Sequence, residues 1–282
     1  MPHTILICSW YNYDRMQEEK VSQVVEDLSK KLHKNLRRAE VKFYMDGWTG
    51  AVVFSLDEKY LIKITNSETI ETQEEFLQTN PAGAFQHVIC TNNEIGYICF
   101  EFLPGEKYVG HEIEPHEAIR QIAEMVSNYR KYPWTGYGFL HHEYPTWREF
   151  LADEIDYARG YIPAVSIEKV QSALEVIGDS KPTKYLMHGD FGTHNFLVNN
   201  GKIYVIDPMP VVGDFLYDFY FAVLSDTKIF TKVGEDFVFS FFERDMKEKR
   251  ALATIALYVR MSRAWKYDRE NFKAYVDMYE KI

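Results

Sequence analysis

Two kinds of hydrophobic pattern divide the chain into a first part rich in strands and a remainder rich in helices. Over residues 16–36, five aliphatic side chains recur at helical spacing among charged residues, which predicts an amphipathic helix. Short apolar runs separated by Gly, Asp and Asn turns then predict antiparallel strands, with a short helix over Ser67–Gln78 capped by Ser67. The predicted strands are Val41–Tyr44, Ala51–Ser55, Tyr60–Ile64, Phe85–Cys90 and Ile95–Phe102.

From residue 106 onward the spacing of apolar residues is mainly helical. The intervening stretch 132–147 is rich in aromatic residues and His, and we interpret it as an exposed loop or as part of a substrate cleft. His141 and His142 are adjacent, but no further metal ligand lies at a usable spacing. The predicted helices are Glu117–Tyr132, Trp147–Ala158, Ile167–Ile177, Phe215–Leu224 with Asp214 as its N-cap, Phe237–Lys247, Arg250–Trp265 and Arg269–Ile282.

A hairpin is predicted near the middle of the second part. Asn200-Gly201 separates the apolar runs Phe196–Val198 and Ile203–Ile206, and Asn-Gly between apolar runs is the strongest short-range hairpin signal. Asp190 and Asn195 then come just before one strand, and Asp207 comes just after the other. Two carboxylates and an amide are therefore expected to face a common point.

This set of side chains suits phosphoryl transfer. Mg²⁺ prefers oxygen ligands, usually one or two carboxylates together with phosphate oxygens, and Asn195 and Asp207 supply such oxygens. Asp190, five residues before Asn195, can accept the proton of an attacking hydroxyl, as the catalytic Asp of kinases does. The alternative is a polar turn whose carboxylates are merely solvated. Against this alternative, the candidate base Asp190, the candidate ligand Asn195, the hairpin and Asp207 all occur in the order and spacing that the chemistry requires.

Composition restricts the setting of this chemistry. The 282 residues suit one large or two smaller domains, and 46% hydrophobic with 26% charged residues are globular values. No apolar run reaches the length of a membrane span, and Ile5–Cys8 is too short for a signal-peptide core and has no Lys or Arg before it, so we expect a cytoplasmic protein without a membrane partner. Cys8, Cys90 and Cys99 have no metal spacing and are expected to be reduced thiols. The net charge of −10 disfavours nucleic acid as a partner and suits a cationic substrate.

The segments His188-Gly-Asp190-Phe-Gly-Thr-His-Asn195 and Ile206-Asp207-Pro208 resemble the aminoglycoside phosphotransferase family, and hygromycin phosphotransferases in particular. The resemblance implies an α+β, two-lobed protein-kinase-like fold with a small antiparallel-sheet N-lobe and a mainly helical C-lobe. Residues 1–103 would form the nucleotide-binding lobe, and residues 104–282 the catalytic and acceptor-binding lobe. Pro208 stands where many relatives have Trp or Phe, a departure expected to affect local packing or the cleft rather than the metal-binding Asp.

Kinase-like folds also assign roles in the first part of the chain. Gly47 and Gly50, in the turn between the first two strands, would let the backbone approach the nucleotide phosphates. Lys63 alternates with two Ile residues in the third strand, and it would pair with those phosphates. A helical Glu should hold this Lys. We choose Glu74 over Glu71 and Glu75, because Glu74 shares the face of the apolar residues of its helix.

The resemblance implies three further sites. The strand ending in Glu101-Phe-Leu103-Pro-Gly resembles the inter-lobe hinge of the family, so the Glu101 carbonyl and the Leu103 amide would bond adenine. Asp218 would accept hydrogen bonds from the backbone of the catalytic loop. His188 would orient that loop rather than act as a base.

The predicted function is transfer of the γ-phosphoryl of ATP or GTP, with Mg²⁺, to a hydroxyl of a small cationic acceptor, foremost an aminoglycoside-type antibiotic. Alternatives are a choline or sugar kinase, for which aromatic residues of Trp134–Trp147 would cage choline, and an inactive pseudokinase scaffold. Lys63, Asp190, Asn195 and Asp207 are all present, which disfavours the scaffold. The protein is expected to be a monomer or dimer. Carboxylates predicted to line the acceptor cleft are Asp153, Glu154, Asp156, Asp268 and Glu270.

Overall fold

The computed structural model of the protein describes residues 18–36, 39–44, 51–81, 83–110 and 113–282. It contains two compact units. The first comprises the described residues up to Glu71 together with His87–Phe102, and the second comprises Thr72–Gln86 with Leu103–Ile282. Gly47 and Gly50 lie outside the described residues, so their predicted role is untested.

A five-stranded antiparallel sheet in the order β1-β2-β3-β5-β4 forms the framework of the first unit. The predicted strands are confirmed with shifted ends. The fourth begins at Val88 rather than Phe85, because Phe85 instead makes an isolated bridge with Val205 within the second unit. The strands are β1 Val41–Tyr44, β2 Val52–Leu56, β3 Tyr60–Ile64, β4 Val88–Asn92 and β5 Tyr97–Glu101.

One face of this sheet is covered by helix α1, residues 18–31 in the described part of the chain. Val24 and Leu28 of α1 are fully buried and belong to one hydrophobic cluster with Phe54, Ile62 and Tyr97 of the sheet. The helical spacing of aliphatic residues thus corresponds to a packed face, as the pattern predicts.

Helix α2, Ser67–Thr79, spans the boundary between the units. Its N-terminal cap is Asn66 rather than Ser67, because the Asn66 side chain accepts a hydrogen bond of 2.8 Å from the Thr69 N–H. Ser67 is instead the first helical residue.

The second unit is mainly helical, and α9 is its central element. Fourteen residues of this helix are buried, and it packs on α4, α5, α6 and α10. No helix in the described ranges is long and apolar enough to cross a membrane. The helices are α3 Pro115–Ser127, α4 Trp147–Tyr161, α5 Glu168–Ile177, α6 Phe215–Leu224, α7 Thr227–Val233, α8 Glu235–Ser240, α9 Met246–Tyr267 and α10 Phe272–Lys281.

The predicted helix Phe237–Lys247 is wrong in its second half. The chain leaves helical geometry at Phe241, and Phe242 has a φ of 63°. A new helix then starts at Asp245, whose side chain accepts from the N–H of Lys247 at 2.9 Å. Asp214 caps α6 as predicted, since its carboxylate accepts from the Leu216 N–H at 3.2 Å.

Short strands in the second unit form two small sheets, ordered β11-β10-β6 and β8-β7-β12-β9. The stretch predicted as a loop or cleft wall contains the hairpin β7–β8. It ends at Trp147, which is 1% exposed, so this Trp cannot contribute to a choline cage. The strands are β6 Glu106–Lys107, β7 Tyr137–Phe139, β8 His142–Tyr144, β9 Tyr185–Met187, β10 Phe196–Asn199, β11 Lys202–Val205 and β12 Val211–Gly213.

Candidate active site

The predicted hairpin is confirmed and anchors the candidate site. β10 and β11 pair antiparallel with Phe196 opposite Val205 and Asn199 opposite Lys202. The connecting residue Asn200 has a φ of 50° and Gly201 a φ of 73°, the two positive values that a type I′ turn requires. The chain entering β10 and the chain leaving β11 therefore lie side by side.

Backbone hydrogen bonds join the segment before β10 to the segment after β11. The N–H of Ile206 donates to the Asn195 carbonyl at 3.0 Å, and the N–H of Met209 donates to the His188 carbonyl at 2.8 Å. Because these bonds do not depend on side chains, they fix the positions of Asn195 and Asp207 relative to each other. The two residues predicted to bind metal are thus brought together.

Asp190 is held by side chains on both of its carboxylate oxygens. Its Oδ2 accepts from His194 Nε2 at 3.0 Å and from Asn195 Nδ2 at 3.2 Å. Its Oδ1 accepts from Nη1 of Arg263, which lies on α9. Burial raises the pKa of Asp190, but the Arg263 charge and the His194 hydrogen bond outweigh it and hold the pKa well below its usual range. Asp190 is therefore a carboxylate at neutral pH.

Arg263 is a site residue that the sequence did not reveal. Its guanidinium lies 4.8 Å from the centre of the Phe221 ring, and its Nη2 is 3.7 Å from Glu154 Oε2 on α4. Arg263 is separated from Asp190 by 73 residues, and no local pattern marks the pair. Glu154 was predicted to face an acceptor, but it is 8% exposed and forms an ion pair with Arg263.

Asp207 follows β11 in a left-handed conformation, with a φ of 59°. Its Oδ1 accepts a 2.9 Å hydrogen bond from Nε2 of Gln73, which also donates to the Pro208 carbonyl at 2.9 Å. Gln73 is 2% exposed and was not identified from the sequence, although it lies three residues from buried Ile70 and from buried Phe76 on α2. A buried amide thus orients the carboxylate and its backbone.

Asn195 and Asp207 fit the donor set that Mg²⁺ requires. The Asn195 Nδ2 donates to the carbonyl of Asp190 at 2.9 Å as well as to its carboxylate, so the amide oxygen points away from Asp190. Mg²⁺ is ordinarily bound by one or two protein oxygens together with substrate phosphates and water. Within the described ranges, no group of three His, Cys, Asp or Glu side chains could hold a metal ion.

His188 precedes Asp190 by two residues and is fully buried. Its Nε2 lies 3.0 Å from the Ile206 carbonyl, which can only accept, so Nε2 carries the proton. Burial lowers the pKa of His188 to about 4, although nearby Asp190 opposes this shift. A neutral His188 thus links the segment of Asp190 to the segment of Asp207.

The buried imidazole predicts a pH-dependent stability. Because the pKa of His188 is about 4 when folded and 6.5 when unfolded, the unfolded chain binds the proton first as the pH falls. Stability is therefore retained above pH 6.5 and lost towards pH 4. We expect the difference in unfolding free energy between wild type and His188→Gln to shrink by about 2 kcal/mol between about pH 7 and about pH 5, as measured by urea denaturation.

The control for this measurement is His141→Gln, which replaces an exposed His. Its unfolding free energy should follow that of wild type at every pH. A constant difference between wild type and His188→Gln across this range would contradict the assignment of a depressed pKa.

Asp218 lies on α6 and is fully buried. Its carboxylate accepts from the Gly189 N–H at 3.2 Å and from the Tyr129 hydroxyl at 2.9 Å, while that hydroxyl accepts from the His188 N–H at 3.3 Å. Burial raises the pKa of Asp218 to about 7, although these hydrogen bonds oppose the shift. Gly189 itself has a φ of 77°, and a Cβ there would lie 2.0 Å from the Met209 carbonyl oxygen. Asp218 thereby contacts the backbone of the segment that carries Asp190.

The first unit carries Lys63 and Glu101. Lys63 is 7% exposed in β3, where it stands between Val53 and Ile98 of the neighbouring strands. Ile62 and Ile64 belong to the hydrophobic cluster under α1 and Lys63 does not, so it occupies the opposite face of the sheet, as alternation predicts. Glu101 ends β5, and its N–H donates to the His87 carbonyl at 2.9 Å.

The acidic residues of α2 differ in their contacts. Glu71 accepts from Asn93 at 3.1 Å, Glu75 accepts from the Tyr132 hydroxyl at 2.9 Å, and Glu74 is half-buried with a 3.1 Å contact to Gln78. The pairing of Glu74 with Lys63 stays a prediction, as does adenine binding by Glu101 and Leu103.

The α+β fold and the paired segments around the hairpin define a kinase-like phosphotransferase. Solved structures match the fold. The chain matches a thermostable mutant of aminoglycoside phosphotransferase APH(4)-Ia in complex with AMP-PNP and hygromycin B at a TM-score of 0.61 and 16% identity, over 91% of this chain and 95% of that one. It matches the GDP complex of aminoglycoside 2'-phosphotransferase-IIIa at a TM-score of 0.51 and 12% identity, over 86% and 91% of the two chains.

A candidate fructosamine-3-kinase from Haemophilus somnus 129PT also matches, at a TM-score of 0.59 and 12% identity, over 92% of this chain and 94% of that one. No curated protein sequence matches the chain. The model of the phosphotransferase enzyme family, APH, matches residues 41–252. The chain belongs to this family, and it is a small-molecule phosphotransferase with the predicted kinase-like fold.

Proposed function

We propose that this protein transfers the γ-phosphoryl group of ATP or GTP to a hydroxyl of a small molecule, and that Asp190 receives the hydroxyl proton. The observation that carries the proposal is the backbone pairing that brings Asp190, Asn195 and Asp207 together at the ends of the hairpin. Oxygen atoms of Asn195 and Asp207 would hold Mg²⁺, which supplies charge neutralisation for the phosphates.

Each side chain would then have a distinct task. Asp190 is ionised before the reaction, so it can orient the attacking hydroxyl and then accept its proton, and in phosphoryl transfer such positioning provides much of the catalysis. His188, Gln73 and Asp218 hold the segments that carry the reacting groups. Lys63 remains the predicted phosphate contact of the first unit. A pseudokinase scaffold is disfavoured because Lys63, Asp190, Asn195 and Asp207 are all present.

The choice of donor stays open between ATP and GTP. One similar structure binds the ATP analogue AMP-PNP and another binds GDP. The residues predicted to contact the base are Glu101 and Leu103.

For the acceptor, we propose first an aminoglycoside-type antibiotic. A similar structure binds hygromycin B, and the net charge of −10 favours cationic ligands. Of the carboxylates predicted to line the cleft, Asp153 accepts from the Tyr144 hydroxyl at 2.6 Å and Glu154 pairs with Arg263, whereas Asp156 and Glu270 are exposed. The second candidate is a sugar-type metabolite, which the similarity to the candidate fructosamine-3-kinase supports.

Expression in a susceptible bacterium tests the acceptor directly. We expect resistance to at least one aminoglycoside with wild type and none with Asp190→Asn at equal expression, because the antibiotic is inactivated only if it is phosphorylated. A coupled assay of nucleotide turnover over aminoglycosides, choline and sugars is run in parallel. If expression gives resistance to no aminoglycoside and a sugar or choline is turned over, the antibiotic is not the acceptor. The proposal of phosphoryl transfer is then retained.

A further inference from the structure

The Asp190 carboxylate has one hydrogen-bonding position left for an acceptor. A carboxylate offers roughly four lone-pair sites on its two oxygens. Two donors, His194 and Asn195, contact Oδ2, and one donor, Arg263, contacts Oδ1. An incoming hydroxyl must therefore bond Oδ1, the same oxygen that Arg263 bonds. Two donors on one oxygen lie about 5 Å apart, so the hydroxyl would arrive directly beside the guanidinium.

The guanidinium is fixed in place and has unused hydrogen-bonding capacity. It is sandwiched by the Phe221 ring and two carboxylates, and its side chain is 18% exposed. Arg offers five N–H donors and no acceptor, and its Nη2 lies 3.7 Å from Glu154, which is too long for a hydrogen bond. A group beside the reacting hydroxyl on this side therefore lies next to the N–H donors of the guanidinium.

Further along α9 and α4 from the pair of Arg263 and Glu154 lie a second cation and two tyrosine rings. Lys266, one turn further along α9, lies 5.6 Å from the centre of the Tyr161 ring on α4. Tyr157, one turn after Glu154 on α4, is 56% exposed and packs its ring against that of Tyr161 at 5.2 Å. An exposed aromatic ring can pack on the apolar C–H face of a sugar, and a cation at the edge of the ring can donate to the sugar hydroxyls.

We infer that Arg263 determines acceptor specificity by donating a hydrogen bond to an oxygen of the acceptor next to the reacting hydroxyl. The site then accepts a vicinal diol or a hydroxy ether. It rejects an acceptor that has an ammonium group at the position of this oxygen. This inference rests on the proposed function and specifies which hydroxyl of an acceptor reacts. On an aminoglycoside, the hydroxyl that reacts should have an oxygen substituent, not an amine, on the neighbouring carbon that faces Arg263. Arg263 thus positions the acceptor, while Asp190 contacts the reacting atom.

Two matched acceptor pairs test the inference, D-glucose with D-glucosamine and kanamycin A with kanamycin B. Each pair exchanges one hydroxyl for one amine beside another hydroxyl. At a pH where the amine is protonated, we expect wild type to prefer the hydroxyl member by at least about tenfold in kcat/KM, because a hydrogen bond to a charged group is lost with the amine. Arg263→Gln should reduce this preference and raise KM for the acceptor but not for the nucleotide, and Arg263→Lys should restore part of it.

Arg159→Gln is the matched control, since Arg159 is an exposed residue of α4. It should leave the preference intact. If Arg263→Gln does not fold, the wild-type preference and the phosphorylated position, mapped by NMR, decide the matter.

The inference is overturned if wild type has equal kcat/KM for both members of a pair or prefers the amine. It is also overturned if the product carries its phosphate on a hydroxyl beside an ammonium group. For a pair that is not turned over, binding is compared by saturation-transfer NMR in the presence of AMP-PNP. Binding of the hydroxyl member no better than of the amine also overturns it. Nucleotide turnover that is lost in Asp190→Asn shows that the proposed function stands even when the specificity does not.

Discussion

Replacing Asp190 with Asn is expected to lower kcat by about a hundredfold or more, the usual contribution of a general base. The substituted amide keeps an oxygen that can accept from Arg263, but it cannot take a proton from the acceptor. Nucleotide affinity should change little, because Asp190 faces the acceptor in this mechanism. Turnover is measured with the acceptor found by screening, and nucleotide affinity is measured by titration.

Asp179→Asn, an exposed residue after α5, provides the matched control for the loss of one negative charge. It should retain full turnover. Because Asn at position 190 also weakens the ion pair with Arg263, the melting temperature of each variant is compared with wild type. Near-normal turnover by a folded Asp190→Asn protein would refute the assignment of Asp190 as the base.

Replacing Asp207 with Ala is expected to abolish Mg²⁺-dependent nucleotide binding without unfolding the protein. The change removes one of the two proposed metal ligands and leaves the Gln73 amide bonded to the Pro208 carbonyl. Wild type should show a melting temperature that rises with nucleotide and Mg²⁺ together, because ligands that bind only the folded state stabilise it. The variant should show almost no such rise.

Asp179→Ala serves as the control here, and it should be stabilised by Mg²⁺ and nucleotide as wild type is. An unchanged response of Asp207→Ala would remove Asp207 from the metal site. Unfolding of this variant without ligand would instead indicate that its contact with Gln73 is mainly structural.

Much of the site framework is encoded locally, which is why the sequence revealed it. The Asn200-Gly201 turn specifies its own conformation, since both residues tolerate positive φ, and the apolar runs beside it fix the register. The turn and the two apolar runs were enough to place Asp190 and Asn195 before one strand and Asp207 after the other. The same reasoning placed Lys63 on the face opposite Ile62.

Predictions that depended on helix ends or helix faces were less accurate. Ser67 and Asn66 are both good capping residues, and the hydrogen bond from the Thr69 N–H to the Asn66 side chain identifies Asn66 as the cap. Likewise, the aromatic run at Phe241 and Phe242 has helical spacing, but the chain turns there, where Phe242 adopts a positive φ.

The sequence by itself determined the hairpin and the order of the residues around it, because hydrophobic period and turn chemistry act over a few residues, and the fold class followed from the family resemblance of the segments at Asp190 and Asp207. Only the tertiary structure decided that Arg263 holds Asp190 and that Gln73 holds Asp207. These partners lie 73 and 134 residues away in the sequence, and packing of α9 and α2 brings them into contact. A hydrogen bond depends on distance and angle, and neither is specified until those helices are packed.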